Sequence, residues 1–416
     1  MLSPSSIAWR RHAGREDRAG WHTAWLSRVP RQFARAAQRQ YNALLFAERL
    51  DDGDARRAAN YHVQEVRDHF DGLAGALDLT ASDSEIRDTA KQIVEQILSM
   101  RRLHQGHDFE AFLNEITLFL AEREVYLSDS EDAGECATLL PKLGKRGVTH
   151  ETVYKRLTDE GFWRRALFRT ITRKGEAESI RAGLVNQKAS LYVSDETLAR
   201  FRTRRCRNRE LLESLIAVNE LGEKFTLAEL ADVSVSNPEL RRAELMTRIV
   251  GFETIAKALG HAGLFLTITC PSRFHAFRKL KHGKVVQKNA AYGGATPRDA
   301  QRYLSGVFSR IRSQLLRRGI APYGFRIAEP HHDGCPHWHL LLFVPQHQAT
   351  EMVEVFRDHA TKADREELAR TGDDPRFRAI AIDWQRGSAA GYVSKYICKN
   401  IDGRKATGEP IGLNFD

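Results

Sequence analysis

Two short segments in the C-terminal third of the chain carry side chains that could act together on a phosphodiester. In the first, His337 and His339 flank a tryptophan at the start of an apolar run. Strand side chains alternate between two faces, so both imidazoles lie on one face. In the second, Tyr392 and Tyr396 are four residues apart, which puts both phenols on one face of a helix. A metal ion beside a tyrosine is the equipment for cutting a DNA strand and keeping its end covalently attached.

The segment before His337 predicts a third member of this group. An Asp-Gly dipeptide ending at Gly334 separates two apolar runs, which is typical of a hairpin turn. If the turn is of type I and is closed by Gly334 as a G1 bulge, Glu329 falls opposite His337. Glu329, His337 and His339 then share one face. A two-residue loop would instead pair Glu329 with Trp338 and turn the carboxylate away.

Two imidazoles and one carboxylate with open coordination positions suit Mg²⁺ or Mn²⁺ in a Lewis-acid role, and they could also hold Zn²⁺. Two further histidines, His331 and His332, precede the turn and are alternative ligands or DNA contacts. The other interpretation of all these histidines is that they are surface or hydrogen-bonded residues of an ordinary hairpin. The motif alone leaves both interpretations open.

The tyrosines lie in a predicted helix of about three turns that runs from a Ser388 N-cap to Lys399. At about 100° per residue, Tyr392, Lys395, Tyr396 and Lys399 form one stripe roughly 100° wide. Two phenols flanked by two ammonium groups suit a phosphodiester, and nearby cations lower the pKa of a phenol. The alternative is an aromatic stripe that packs into the core while its lysines reach solvent.

A one-sided basic segment precedes the hairpin. The chain has 416 residues and a net charge of +10, which favours a polyanionic partner. From Cys270 to Ile320 there are twelve basic residues against the single acid Asp299, which predicts a track for phosphates. Within it we predict these DNA-binding residues: Arg273, Arg278, Lys279, Lys281, Lys284, Arg298 and Arg302. An arginine run at 202–209 either contacts DNA or is a solvated face.

Periodicity divides the chain into four regions. Residues 1–126 read as a helical N-terminal domain, 127–148 as a linker that has lost the periodicity, and 149–262 as a further helical region. Residues 263–416 combine strands at Leu264–Cys270, Tyr323–Glu329 and Trp338–Val344 with helices at Thr296–Arg318, Thr350–Arg370 and Ser388–Lys399. This mixture predicts an α+β domain with a mainly antiparallel sheet.

Several protein classes are disfavoured by composition. The five cysteines are scattered without a Cys-x-x-Cys pair, which argues against a disulfide framework or a cysteine-rich zinc module. The N-terminus lacks the apolar region of a signal peptide, and no apolar run reaches the roughly 20 residues that span a bilayer. The sequence therefore predicts a soluble intracellular protein with no membrane partner.

Taken together, these motifs resemble the HUH endonucleases, and most closely the replication gene A proteins of tailed temperate phages and related prophages. Three segments carry the resemblance: Phe265–His275, Glu329–His339 and Tyr392–Tyr396. The stretch Val233–Met246 is also similar to that family, so the resemblance covers about 149–402. Tyrosines that follow the histidines resemble rolling-circle initiators, and a pair of tyrosines resembles the phage replication class.

The resemblance implies a fold and a reaction. It implies a C-terminal HUH nuclease domain with a central five-stranded antiparallel sheet, flanked by helices and carrying the histidines, with the tyrosine helix packed across it. It implies nicking of a single-stranded or melted origin, a 5′-phosphotyrosyl link, and a 3′-OH for the host polymerase beside the replicative helicase. A phage- or prophage-encoded protein of this type acts in the bacterial cytoplasm.

Two other functions stay open from the residues. One is a non-catalytic initiator that binds origin DNA, and the other is a metal-dependent hydrolytic nuclease that leaves free 5′-phosphate ends. The chain ends at Asp416, soon after the tyrosine helix, where members of the family usually continue. We therefore expect a shortened copy or a truncated chain.

Overall fold

A computed structural model gives the structure of residues 21–45, 52–73, 78–103, 109–121, 149–187, 189–279, 286–370, 372–385 and 387–401. The chain forms two compact units, Met1–Ala182 and Gly183–Asp416. The predicted linker at 127–148 lies outside the described residues. The division into four regions therefore stays a prediction.

Helices make up the described part of the first unit. They are α1 Trp21–Trp25, α2 Arg31–Leu45, α3 Asp52–Leu73, α4 Asp83–Leu103, α5 Phe109–Ala121, α6 His150–Leu157 and α7 Glu160–Arg181. The start of α4 is a capping box, in which the Glu85 amide donates to the Ser82 hydroxyl and the Ser82 amide donates to the Glu85 carboxylate. Its apolar stripe packs against Phe112 and Trp163 in one buried cluster.

The second unit combines helices and strands. In chain order they are α8 Asp195–Ser214, β1 Ile216–Val218, β2 Lys224–Thr226, α9 Leu227–Asp232, α10 Pro238–Ala258, β3 His261–Thr269, β4 Phe277–Lys279, β5 Val286–Lys288, α11 Pro297–Arg317, β6 Tyr323–Pro330, β7 Pro336–Pro345, α12 Ala349–Thr361, β8 Phe377–Ala381 and α13 Ala389–Ile401. The α+β prediction is confirmed. The helix predicted to run to Arg370 ends at Thr361, and Asp364 follows with φ +50°.

The central sheet of the second unit is antiparallel and has the strand order β6-β7-β3-β8. It has four strands in the described part of the chain, so the five strands implied by the resemblance are not found there. After β3 the chain leaves the sheet at Pro271, which has no backbone N–H to donate. The next two strands, β4 and β5, then pair with each other in a separate hairpin.

Strand β7 is buried on both faces, and its alternation separates the core into two layers. Trp338 and Leu340 face a cluster that contains residues of α11 and α12. Leu341 and Phe343 face a second cluster that contains residues of α10 and α13. His337 and His339 fall on the side of Leu341 by alternation. The sheet therefore presents both histidines to the layer that holds the tyrosine helix.

Close packing fixes strand β6 against β7 at Gly324. This residue has φ +146°, and a Cβ added there would lie 2.0 Å from the carbonyl oxygen of Leu341. A glycine is required at this position because any side chain would overlap the backbone of the neighbouring strand. No helix in the described part of the chain has the length and apolar character needed to cross a membrane.

Candidate active site

The hairpin between β6 and β7 has the predicted turn. Gly334 has φ +81° and donates its amide proton to the His331 carbonyl at 2.9 Å, while the His331 amide donates to the Cys335 carbonyl at 2.7 Å. Glu329 pairs with His337 across the two strands, as the G1-bulge register requires. The predicted register is therefore confirmed, and the alternative two-residue loop is wrong.

This register brings Glu329, His337 and His339 together. Their ligand atoms lie within 4.8 Å of one another, and all three residues are buried. The Glu329 Oε2 atom is 3.1 Å from Nε2 of His339 and 3.4 Å from Nε2 of His337. Two ring nitrogens thus converge on one carboxylate oxygen. A cation bound between these three atoms would be coordinated by all of them.

A threonine of the neighbouring strand orients one of the imidazoles. The Oγ1 atom of Thr267 lies 3.0 Å from Nδ1 of His339, because β3 pairs Thr267 with His339. With Nδ1 engaged there, Nε2 is the nitrogen that faces Glu329. Burial lowers the pKa of His339, which keeps its ring neutral as metal binding requires. Sequence reasoning missed Thr267, since its role depends on a strand pairing between residues 72 positions apart.

The donor set fits a divalent cation. Nδ1 of His337 is buried and finds no hydrogen-bond partner among the described residues, so the ring is held by packing and by its approach to Glu329. A nitrogen, nitrogen and carboxylate set with free positions is compatible with Mg²⁺, Mn²⁺ or Zn²⁺. The role of these residues as ligands, and the identity of the metal, stay predictions.

The predicted alternative ligand His331 lies next to this group and is not part of it. Its ring centroid is 4.0 Å from that of His337. Burial, together with the neighbouring His337 and His275, lowers the pKa of His331 to about 3. The neutral His331 ring therefore packs against the His337 ring and supports its position.

Tyr396 joins the same cluster from helix α13. Its ring centroid lies 4.0 Å from that of His339 and 5.6 Å from that of Phe265, on which the Tyr396 ring stacks. Lys395 places its Nζ atom 4.7 Å from the centroid of the Tyr396 ring. The structure thus brings one phenol and one ammonium group to the predicted metal group.

Tyr392 lies further out on the same helix. Its ring centroid is 6.2 Å from that of Phe265, and the residue is 38% exposed. Lys399 belongs to α13, although its side chain lies outside the described residues. The sequence left open which phenol leads, and the geometry puts Tyr396 beside the histidines and Tyr392 at the solvent side of the helix. The catalytic roles stay predictions.

Two side chains hold the start of α13. The predicted N-cap Ser388 accepts a hydrogen bond from the Gly391 amide at 3.0 Å. Glu253, buried in α10, accepts one from the Ala390 amide at 3.2 Å and pairs with Lys257 at 2.6 Å. A carboxylate at a helix N-terminus is favoured by the helix dipole. Sequence reasoning missed Glu253, and its only signal was an acidic residue within the apolar stripe of α10.

The basic segment is less one-sided in space than in sequence. Arg273 pairs with Asp364 at 3.1 Å, Arg302 pairs with Asp299 at 3.0 Å, and Arg278 donates to the side chain of Gln287 at 3.3 Å. Arg298 is half-buried at the start of α11. The Lys279 side chain, Lys281 and Lys284 lie outside the described residues. Surface ion pairs of this kind are weak, so they would not prevent the arginines from contacting DNA instead. A DNA-binding role for the segment stays a prediction.

Comparison with known proteins finds relatives of this chain among phage and prophage proteins. The chain is similar to the replication gene A protein of Escherichia phage 186, with 42% identity over 255 residues, which cover 61% of this chain and 36% of that relative. It is 35% identical over 356 residues to the replication gene A protein of Escherichia phage P2, covering 82% of this chain and 46% of the relative.

A third relative is the protein named probable replication endonuclease from prophage-like region of Shigella boydii, with 39% identity over 249 residues, 60% of this chain and 30% of the relative. The chain thus spans less than half the length of each of these three relatives. No solved structure matches it. The model of the bacteriophage replication gene A protein (GPA) family matches residues 80–404, which is most of the chain. The chain therefore belongs to the bacteriophage replication gene A protein family.

Proposed function

We propose that this chain nicks single-stranded or melted origin DNA through a tyrosine and so starts rolling-circle replication of a phage or prophage genome. The observation that carries the proposal is the 4.0 Å approach of the Tyr396 ring to His339, a member of the buried Glu-His-His group. Relatives named replication gene A protein and probable replication endonuclease support a nuclease role in phage replication.

Tyr396 is the first nucleophile in this proposal because it lies closest to the histidines. Its phenolic oxygen gives up its proton and forms a bond to the scissile phosphorus. The bond from phosphorus to the 3′-oxygen breaks, and that oxygen takes up a proton and leaves as a 3′-OH. The phosphotyrosyl link retains the energy needed for rejoining.

Glu329, His337 and His339 are the residues that would hold the divalent cation, Mg²⁺ or Mn²⁺. Bound there, the cation supplies Lewis-acid polarisation of a phosphate oxygen. Thr267 keeps Nε2 of His339 directed into the group, and Lys395 adds a positive charge beside the phenol. In this proposal Tyr392, on the solvent side of α13, takes the second step and attacks the junction that one round of replication regenerates.

The partners follow from this reaction. Origin DNA is the substrate, the host polymerase extends the 3′-OH, and a host replicative helicase opens the duplex ahead of it. The reaction takes place in the cytoplasm of the infected or lysogenic bacterium. Arginines of the basic segment, such as Arg298, contribute sequence-independent contacts to phosphates.

The first prediction tests the nucleophile. A denaturing gel of the protein incubated with an origin oligonucleotide and Mn²⁺ should show a covalent adduct. Tyr396→Phe keeps the packing and should slow the adduct about a hundredfold, since the remaining phenol of Tyr392 is misplaced. The double change to Phe should form none. Tyr323→Phe, which removes a phenol in the same unit, is the matched control.

The outcomes separate the candidate functions. A DNA-linked peptide that contains neither Tyr392 nor Tyr396 would overturn the proposal. Cleavage with free 5′-phosphate ends and no adduct indicates a hydrolytic nuclease, and binding without cleavage indicates a non-catalytic initiator. The double change of His337 and His339 to Ala should abolish cleavage and leave DNA binding largely intact.

A further inference from the structure

A cavity of about 310 Å³ lies beside the metal-ligating group, at the end of the β6–β7 hairpin. Its lining includes His275, Phe277, Arg278, His331, His332 and Asp333. The wall at His331 is shared with the candidate active site, since the His331 ring centroid lies 4.0 Å from that of His337. The volume is at the small end of the range for ligand sites, which suits one flat ring system.

One wall of the cavity is a fixed hydrogen-bond acceptor. Asp333 is buried, its Oδ1 accepts from the Cys335 amide at 3.2 Å, and its Oδ2 lies 3.1 Å from Nδ1 of His275. These two contacts hold the carboxylate in place and leave lone pairs on both oxygens. Nε2 of His331 is also buried, and no group in the described residues hydrogen-bonds to it.

Other parts of the lining are flat rings, and Asn186 and Gln187 add two amide side chains. Phe277 is held against Gly183, where an added Cβ would lie 3.0 Å from the end of the phenyl ring. The rings of His275 and His331 meet edge to face with centroids 5.1 Å apart. Such faces stack on a nucleobase whichever base it is, because every base has a flat π-face. Arg278, which is exposed, adds one guanidinium group to the lining.

The composition selects among possible occupants. A phosphate is disfavoured because the buried Asp333 carboxylate would repel it. A metal ion is also disfavoured. Among the described residues, the His, Asp and Glu side chains that converge closely enough to hold a metal are those of the neighbouring group at Glu329. A planar base that donates a hydrogen bond fits both features, because it can stack on the rings and donate to the carboxylate.

We propose that this cavity binds one unstacked nucleobase of the cleaved strand, beside the scissile phosphate, and that Asp333 selects a base with an exocyclic amino group. The proposal rests on the proposed function, because it takes single-stranded DNA as the substrate. Asp333 accepts from the amino group as carboxylates do from the N4 amino group of cytosine. Thymine and uracil present a carbonyl oxygen there and are disfavoured.

The test compares two oligonucleotides that differ in this edge of the base. Fluorescence anisotropy without added metal would measure the affinities for labelled oligodeoxycytidine and oligodeoxyuridine. The protein should bind the cytidine strand about tenfold more tightly. In Asp333→Asn the amide oxygen keeps the Cys335 hydrogen bond and an NH₂ group replaces the second acceptor. The preference should then vanish or reverse.

Asp358→Asn, the same change on an exposed face of α12, is the control and should keep the tenfold ratio. A ratio is used because loss of folded protein weakens both affinities equally. Equal affinities for the two strands, an unchanged ratio in Asp333→Asn, or no binding of single strands would each overturn the proposal. A covalent adduct with no base preference would overturn this inference alone. A base preference without an adduct would contradict only the nicking proposal.

Discussion

At the scale of single residues, the side chains with the clearest chemistry were predictable and the ones that position them were not. His337 and His339 follow from strand alternation, and Glu329 follows from the turn chemistry of Gly334. Thr267 has no local signal, because a threonine in a strand is ordinary until its partner strand is known. Sequence patterns report local geometry, and a contact between β3 and β7 is set by the assembled sheet.

Thr267→Val tests whether the hydroxyl orients His339. Valine keeps the shape and loses the 3.0 Å contact with Nδ1, so the ring is free to rotate away from Glu329. We expect affinity for Mn²⁺ to fall about 10- to 100-fold in isothermal titration calorimetry. Thr254→Val, at an exposed helical position, controls for the substitution. An unchanged affinity in Thr267→Val would show that packing alone sets the ring.

His331 should make the second unit sensitive to acid. Its folded-state pKa lies below the ordinary value, so between about pH 6.5 and pH 3 the unfolded chain binds the proton more tightly. The free energy of unfolding is therefore highest above pH 6.5 and falls as the pH drops. His331→Gln removes the ring that takes up this proton. The slope of the free energy of unfolding against pH should therefore fall by up to about 1.4 kcal/mol per pH unit.

Urea unfolding, repeated from about pH 7 down to about pH 4, would measure this dependence. His347→Gln, at an exposed position, shows the effect of the substitution alone. Equal pH dependence in the protein and in His331→Gln would contradict the assignment of proton uptake to this ring.

At the scale of elements, the site depends on how one helix begins. Helix α13 was predicted from its N-cap and its tyrosine spacing, and both its limits and its buried Val393 agree with that pattern. The contribution of α10 was not predictable, because Glu253 contacts a residue 137 positions later in the chain. A carboxylate from another helix thus fixes where the phenols lie.

Glu253→Ala should loosen the tyrosine helix without touching the metal group. The Ala390 amide would lose its acceptor in a buried place, which costs about 1–3 kcal/mol. We expect slower adduct formation and a lower urea midpoint, with unchanged Mn²⁺ affinity. Glu244→Ala, on the same helix with an exposed pair to Arg248, is the control. A loss of metal affinity in Glu253→Ala would mean that the helix and the metal group are not separable.

At the scale of the whole molecule, each compact unit has buried clusters of its own. One cluster lies within 81–171, and the two that surround the central sheet lie within 249–397. The sequence predicted the α+β class and the central three strands. It did not predict β8 or the β4–β5 hairpin, whose three to five residues carry too little periodicity for a strand signal. The strand count came from the resemblance and exceeded the four described.

The fragment Gly183–Asp416 should fold and bind metal without the first unit, since the candidate ligands and their supporting residues all lie within it. We expect its affinity for Mn²⁺ to equal that of the full chain in calorimetry, with cooperative urea unfolding. The same fragment with both His337 and His339 changed to Ala should not bind. A fragment that is unfolded by circular dichroism would show that the second unit depends on the first.

Gly324 lies five residues before Glu329, and every possible mutation of it adds at least a Cβ that overlaps the Leu341 carbonyl. Selection for a foldable chain is therefore sufficient to keep glycine there in any descendant, whatever reaction that descendant performs. Invariance at this position among relatives would carry no information about catalysis. Drift at Tyr392, which is 38% exposed and is constrained less tightly by packing, would be the better record of a lineage that has changed its chemistry.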